Sequence, residues 1–240
     1  MSARAAAVSD ASSPDEVIAA LRSRMRAVQH GTAGQRVREP VLPVHPVLAR
    51  LLPEGGLRRG AAYSLTASGS LLLALLAEPS AAGSWCGVVG MPELGAEAAE
   101  QAGVELSRLV LVPTAGERWL TVTSALAEVL PVLAVRPGGR VRDAEAARLS
   151  ARLRDRGGVL LVDGPWPGSE GVLSTSEPRW SGLGAGHGHL QQRELTVTVS
   201  SRRSPVPRSA RMLLPGPAGS LAAAPDAVRT AGAPRLRAVG

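Results

Sequence analysis

The residue types able to do chemistry in this chain gather at a few places. His187-Gly188-His189 sets two imidazoles on one side of an extended segment, as a metal-binding pair would be. A metal would need at least one further ligand. No ligand pattern lies nearby, and the surrounding glycines read as a solvated loop. Asp163-Gly164-Pro165-Trp166 follows an apolar run, the place where α/β sheets present functional side chains. Asp163 could coordinate a ligand there, although Asp-Gly is also an ordinary strand-end turn. Ser68 falls in a strand-to-helix turn suited to a nucleophile, but Ser68-Gly69 is not a Gly-x-Ser-x-Gly elbow, and no Ser/His/Asp set has supporting context. Cys86 is the single cysteine, which excludes an internal disulfide and a cysteine-built zinc site. Its neighbours Trp85, Val88 and Val89 make it a buried strand thiol.

Positioning these residues falls to an alternation of short apolar runs and helical stretches. Strand-like runs occur at 61–66, 84–89, 109–112, 130–135 and 159–162, with helical patterns near 93–102, 117–129 and 142–156. A further helix carries Leu71, Leu72, Leu75 and Leu76 after the loop Ala67-Ser68-Gly69 and is expected to stop at Pro79. Buried strands alternating with helices predict a mostly parallel sheet covered on both faces. The last strand is 193–201, where Leu195, Val197 and Val199 alternate with Thr196, Thr198 and Ser200. The Pro-rich stretch 40–53 reads as extended packing, and 164–188, rich in Gly, Pro and Ser, as a long loop.

Ahead of this core, Ser13-Pro14-Asp15-Glu16 is a helix start, with Ser13 as N-cap and Glu16 able to close a capping box. Ile18, Leu21, Met25 and Val28 then follow at helical spacing. Such a stripe must dock on its own core or on another molecule; the expectation is another protein, with these four residues as the contact. The chain therefore divides into 1–39, a disordered start and amphipathic helix; 40–203, the core; and 204–240, a disordered Pro/Ala/Arg-rich tail. Met212-Leu213-Leu214 is the tail's only apolar cluster and a second candidate partner contact.

Composition narrows the partners. The 240 residues are 45% hydrophobic but only 2% aromatic, with no Phe. All 27 basic residues are Arg, a bias that GC-rich coding imposes. Arg outnumbers acids in 1–50 (7 to 4), 136–203 (11 to 7) and 204–240 (5 to 1), whereas acids lead in 51–135 (8 to 4). Basic segments attract nucleic acid or acidic protein surfaces, but scarce aromatics argue against a dedicated single-strand platform. Helix 142–156 sets Arg142, Arg148, Arg152, Arg154 and Arg156 against Asp143, Glu145 and Asp155, a solvated face with internal ion pairs or a docking surface. Trp119, Trp166 and Trp180 lie outside the expected core and could anchor an interface. The apolar run 71–77 is too short to span a bilayer, and the start lacks a signal-peptide core, so a soluble cytoplasmic protein is expected.

The strand, tight loop and helix at 61–76 have the layout of a phosphate-binding P-loop. The preceding Leu52-Pro53-Glu54-Gly55-Gly56-Leu57-Arg58-Arg59-Gly60 resembles the lead into the Walker A strand of RecA recombinases. Ala81-Ala82-Gly83-Ser84-Trp85-Cys86 and Ala102-Gly103-Val104-Glu105-Leu106-Ser107-Arg108-Leu109 extend the resemblance over roughly 52–135. The fold it implies is α/β: a three-layer RecA-like, P-loop NTPase-like core with a degenerate nucleotide site. A working P-loop needs glycines, a Lys for the β and γ phosphates and a Ser or Thr for magnesium. Here Ser64 replaces the first Gly, Gly69 remains, and Ser70 and Leu71 stand at the Lys and Ser/Thr positions. With no Lys anywhere, no change of register restores the motif. The Walker B run 130–135 ends in Arg136, a cation that would repel the metal. Glu93 follows the second strand about one position later than a RecA-type catalytic carboxylate would.

A RecA-like core without ATPase residues is similar to two groups, the bacterial mutasome accessory ImuA, especially its actinobacterial form, and the SulA-type cell-division inhibitors. The Arg-rich helix, degenerate loop and Pro-rich tail are more like the former. That resemblance implies a non-enzymatic adaptor of SOS mutagenesis and translesion synthesis, without cofactor or metal, nucleoid-associated when engaged. It would bind a Y-family polymerase homologue (ImuB) and through it an error-prone replicative-type polymerase. The alternative is a modulator that binds DNA or the RecA filament without ATPase activity.

Overall fold

Short runs of Val, Leu and Ala become the central strands because every residue in them can be buried on one face or the other. The computed structural model describes residues 6–7, 19–20, 23, 41–66, 68–184 and 187–224. In chain order the strands are β1 (Ala6–Ala7), β2 (Val41–Leu42), β3 (Leu57–Arg58), β4 (Ala62–Leu65), β5 (Cys86–Val89) and β6 (Leu109–Val112). They continue with β7 (Val132–Val135), β8 (Val159–Asp163), β9 (Gly171–Gly184), β10 (His187–Ser201), β11 (Ser204–Leu213) and β12 (Ala222–Ala223). The α-helices are α1 (Pro46–Ala49), α2 (Gly69–Ala81), α3 (Ala96–Gln101), α4 (Trp119–Leu126) and α5 (Asp143–Arg156).

The protein is α/β with one large mixed sheet, in the order β1-β6-β5-β7-β8-β4-β9-β10-β11-β12. Pairing is parallel from β1 through β9 and antiparallel from β9 to β12. β2 and β3 form a separate antiparallel pair. Strand alternation divides the core into two layers. Cys86, Val88, Val132, Ala134, Val159 and Leu161 join α2 on one face, and Val89, Leu133, Val135, Leu160 and Val162 join α4 and α5 on the other. Helix α2 is apolar almost all round: Leu71 through Leu76 are all buried, between the sheet and a cover of Leu42, Leu48, Leu51 and Leu52. Each such leucine stabilises the fold by about 1.5–3 kcal/mol. Helix α5 ends on Gly157 at φ 68°, the left-handed cap position that favours glycine. No helix among the described residues is long and apolar enough to cross a membrane.

Several sequence expectations are corrected here. Residues 204–224 are not a disordered tail: β11 pairs with β10 over 204–213 and β12 with β11, while Met212 and Leu214 are buried at 0% and 2% exposure. Pro205 and Pro207, which made the segment look unstructured, sit where β11 has no neighbour beyond it among the described residues, and an edge strand tolerates a missing N–H. Met212 and Leu214 therefore serve this chain's own core and are not free for a partner; Leu213 is half-buried. The long loop expected at 164–188 shrinks, because β9 and β10 form an antiparallel hairpin from 171 onward. Its Ser, Thr and Gly content suits a strand pair with only one face covered. Stretch 40–53 contains β2 and the one-turn α1, with Pro46 at the helix start. Pro79 lies within the last turn of α2, which runs on to Ala81. Trp119 and Trp166 are core residues at 7% and 4% exposure, whereas Trp180 is 49% exposed. Ile18, Leu21, Met25 and Val28 lie outside the described residues.

Candidate functional site

The carboxyl ends of β4, β5, β7 and β8 share one edge of the sheet, where a strand-to-helix turn would present a ligand site. The side chains at the motif positions are taken up there by intramolecular tasks, and Gly69 alone among them has none. Ser64, at the first-glycine position, is 5% exposed, and its Oγ accepts the Trp166 backbone N–H at 3.0 Å, tying β4 to the loop after β8. Ser68 is the N-cap of α2: its Oγ accepts the Leu71 N–H at 3.3 Å and lies 3.4 Å from Ser70 Oγ. Gly69 has no left-handed φ, and a Cβ there would meet open space. Leu71, at the magnesium-ligand position, is fully buried in the core.

Ser70, at the lysine position, accepts a hydrogen bond from Arg193 Nη2 at 2.5 Å. Arg193 comes from β10 and is held by a second bond, Nε to Leu214 O at 2.9 Å, and by stacking 5.3 Å from the Trp180 ring. Burial lowers its guanidinium below the usual arginine range. A cation thus lies beside the turn, but it belongs to the C-terminal hairpin and is bonded to the side chain that replaces the lysine.

Neighbouring strand ends hold the second cluster. β7 lies between β5 and β8, so Arg136, the residue after β7, is flanked by Glu93 beyond β5 and Asp163 at the end of β8. Arg136 donates from Nε to Asp163 Oδ2 at 2.7 Å, its Nη2 lies 2.5 Å from the same oxygen, and Nη1 is ion-paired with Glu93 Oε1. The Asp163 side chain is 10% exposed, against 58% for Glu93 and 40% for Arg136. Gly90 lets β5 turn close to this arginine: its φ is 76°, and a Cβ there would stand 2.7 Å from Arg136 O. Burial pulls the Arg136 guanidinium down, and the bonds to Asp163 and Glu93 more than offset it, so its net shift is upward. Glu93 is held below the usual carboxylate value by its own backbone N–H first and by Arg136 second. The guanidinium supplies the positive charge that two converging carboxylates would otherwise draw from a metal ion.

The sequence reading placed Arg136, Glu93 and Asp163 separately, and only the strand order joins them. Arg193 was missed as part of the turn because 123 positions separate it from Ser70. Among the described residues no group of three His, Cys, Asp or Glu side chains converges as a metal site would need. Two arginines of α5 pair away from their own helix: Arg152 and Arg156 meet Glu128, just beyond α4. Cys86 is fully buried on β5, away from this edge.

An α/β protein whose helix-opening turn and strand-end carboxylates are both occupied by its own arginines is the class these features define. The profile of the MT3502 N-terminal domain matches residues 50–168, the span holding the turn, Glu93, Arg136 and Asp163. The chain is 33% identical over 156 residues, 64% of its own length and 72% of the relative's, to the uncharacterised protein Rv3395c of Mycobacterium tuberculosis. The chain belongs to this actinobacterial family.

Proposed function

We propose that this protein is a non-catalytic adaptor built on a RecA-like core, of the ImuA type, acting in a DNA-damage-induced translesion mutagenesis complex. The observation that carries the non-catalytic reading is the placement of Arg136 between Asp163 and Glu93. A guanidinium there opposes magnesium, and phosphoryl transfer depends on the metal to neutralise developing charge. The Ser70–Arg193 bond adds to it by tying up the side chain at the lysine position. The order of the parallel strands, with the turn-bearing β4 inside the parallel block between β8 and β9, supports the RecA-like assignment. So does the resemblance over 52–135.

For the adaptor role, support comes from where apolar surface remains. The exposed large hydrophobic residues among those described, Val172, Trp180, Leu190 and Val206, all lie on β9, β10 and β11. Trp180 beside Arg193 has the composition of an interface anchor. The partner proposed is a Y-family polymerase homologue (ImuB), and through it an error-prone replicative-type polymerase. A second reading, direct binding to DNA or to a RecA filament, is favoured by exposed Arg179 on β9, Arg208 on β11 and Arg202 in the turn between β10 and β11.

The test is a pull-down of the tagged protein from DNA-damaged cells, with Trp180→Ala alongside, and titration of the purified protein with Mg-ATP. Expected are recovery of the polymerase homologue, its loss with Trp180→Ala, and no heat of nucleotide binding. Recovery only of nuclease-sensitive material, with binding that falls steeply with salt, would favour the DNA reading. Turnover of ATP would sink both.

A further inference from the structure

Strands β8, β4 and β9 begin, and β10 ends, at the edge of the sheet opposite the one that carries Ser70 and Arg136. β11 starts from that edge as well. Contacts within the chain gather arginines of separate segments there. Arg154, in the last turn of α5, packs against Gly60: a Cβ on that glycine would stand 3.0 Å from the Arg154 Cα. The Gly60 N–H donates to Gly158 O at 2.8 Å, so this contact lies where β4 and β8 begin. Arg58 and Arg203 share Glu170, at 3.4 and 2.6 Å, and Arg203 also reaches Glu54 at 3.3 Å. The Arg202 N–H donates to Glu170 O at 3.1 Å, and Arg208 Nη1 donates to Arg50 O at 3.5 Å. Glu170 and Glu54 thus answer Arg58 and Arg203. Exposed Arg50, Arg154, Arg202 and Arg208 have no carboxylate partner among the described residues.

We propose that this edge seats the phosphate backbone of double-stranded DNA, with Arg50, Arg154, Arg202 and Arg208 as the contacts. The inference rests on the DNA reading given above and names its face. Guanidinium groups match phosphate oxygens in geometry and stay charged at any working pH. Neighbouring strands stand about 4.8 Å apart, so the row from β8 to β11, four spacings, is about 19 Å long. One strand of a duplex carries a charge every ~3.4 Å of axis, so roughly five phosphates fall within that length. The end of a helix favours a cation without any ligand, which accounts for Arg154. Arg202 and Arg208 lie in a turn and a strand, where no helix end calls for them. No exposed tryptophan stands at this edge, since Trp180 is farther along β9, so it lacks both an aromatic protein anchor and a base-stacking platform. The charge is also polarised across the sheet. Exposed Glu97, Glu100 and Glu105 lie beside β6, at the far side, and would turn that side away from DNA.

Fluorescence anisotropy of the full chain with a short labelled duplex of random sequence, at several salt concentrations, tests this. The unaltered chain should bind with an affinity that falls steeply with salt. Arg50→Gln with Arg154→Gln and Arg202→Gln should shrink the logarithmic salt slope by about 2.7, about 0.9 for each arginine. Binding at low salt should weaken by at least about tenfold while the thermal transition of the core persists. Arg118→Gln with Arg140→Gln and Arg142→Gln removes the same charge from exposed sites at the opposite edge, and should change the slope little. Equal losses in the two triple variants would overturn the proposal, because binding would then follow net charge and not this face. Binding that survives the edge variant but is lost with Arg179→Gln would overturn it too, and would leave the DNA reading standing. No binding by the unaltered chain would sink both. A chain that refuses the duplex but binds polyglutamate through the same arginines would overturn it in favour of an acidic protein surface.

Discussion

Replacing Arg136 with methionine removes the guanidinium but keeps a flexible apolar chain of similar reach. Asp163, 10% exposed, would then face the strand ends with no counter-charge, and Glu93 would lose its ion pair. An exposed pair is worth about 0–1 kcal/mol, and breaking a buried one costs about 3–5 kcal/mol. With the Asp163 carboxylate nearly buried and the arginine 40% exposed, a loss of about 1–3 kcal/mol at neutral pH lies between these limits. Urea unfolding followed by tryptophan fluorescence measures it. Thermal melting should show a fall of about 2–4 °C for each kcal/mol. Asp163→Asn in the same background removes the unpaired charge, so the double variant should cost less than the two singles together, with a coupling above about 0.5 kcal/mol. The Glu93 contact adds a pH signature. Its folded value is depressed, so its contribution is present above the unfolded carboxylate value of about 4.3 and lost as pH falls through the folded value. The gap between wild type and Arg136→Met should narrow in that acid range. Strict additivity of the two substitutions, or a gap unchanged on acidification, would refute the view that the arginine serves as the cluster's internal cation.

The Cys86 thiol is pushed up to about 12 by burial, so thiol reagents should label it only after unfolding, at a rate that tracks urea concentration. Burial also raises Tyr63 to about 12. Both groups are neutral in the fold, so the stability they contribute is complete below their unfolded values, about 8.5 and 10, and is lost as pH rises toward 12. Melting temperatures measured from pH 8 to 11 should therefore fall steadily. Met212→Ala should cost about 2–5 kcal/mol, the range for a buried methionine, whereas a residue in a tail would cost nothing measurable.

The parallel half of the sheet was readable because its strands are buried on both faces. Runs such as Val132-Leu133-Ala134-Val135 and Val159-Leu160-Leu161-Val162 admit little else when bounded by charge, Gly or Pro. Helix α5 was read from its helical pattern over 142–156, and the structure closes its ends with Glu145, whose side chain accepts the Arg142 N–H at 3.0 Å, and with Gly157. Of the C-terminal strands, 193–201 was readable from the alternation of Leu195, Val197 and Val199, whereas β9 and β11 were hidden. Val172-Leu173-Ser174-Thr175 and Ser204-Pro205-Val206-Pro207 carry too few apolar residues to register as core. Of the candidate site, the loss of the phosphate loop was legible residue by residue, since Ser70 and Leu71 stand where lysine and a magnesium ligand are needed. The Arg136–Asp163–Glu93 contact was not, because adjacency of strand ends is a property of sheet order. A strand ending in arginine and another ending in aspartate were the available signals, and nothing local says that β7 and β8 are neighbours.

The far side of the last long strand has a bearing on how copies of this protein meet. Open backbone at a sheet margin is a template on which an identical chain can lengthen the sheet without limit. Along Ser204–Arg211 that margin carries Pro205, Pro207 and the exposed Arg208, and among the described residues β12 caps Met212 and Leu213. Proline offers no hydrogen to an incoming strand, and arginine repels its own image. Growth by strand addition is therefore disfavoured along this stretch of the margin.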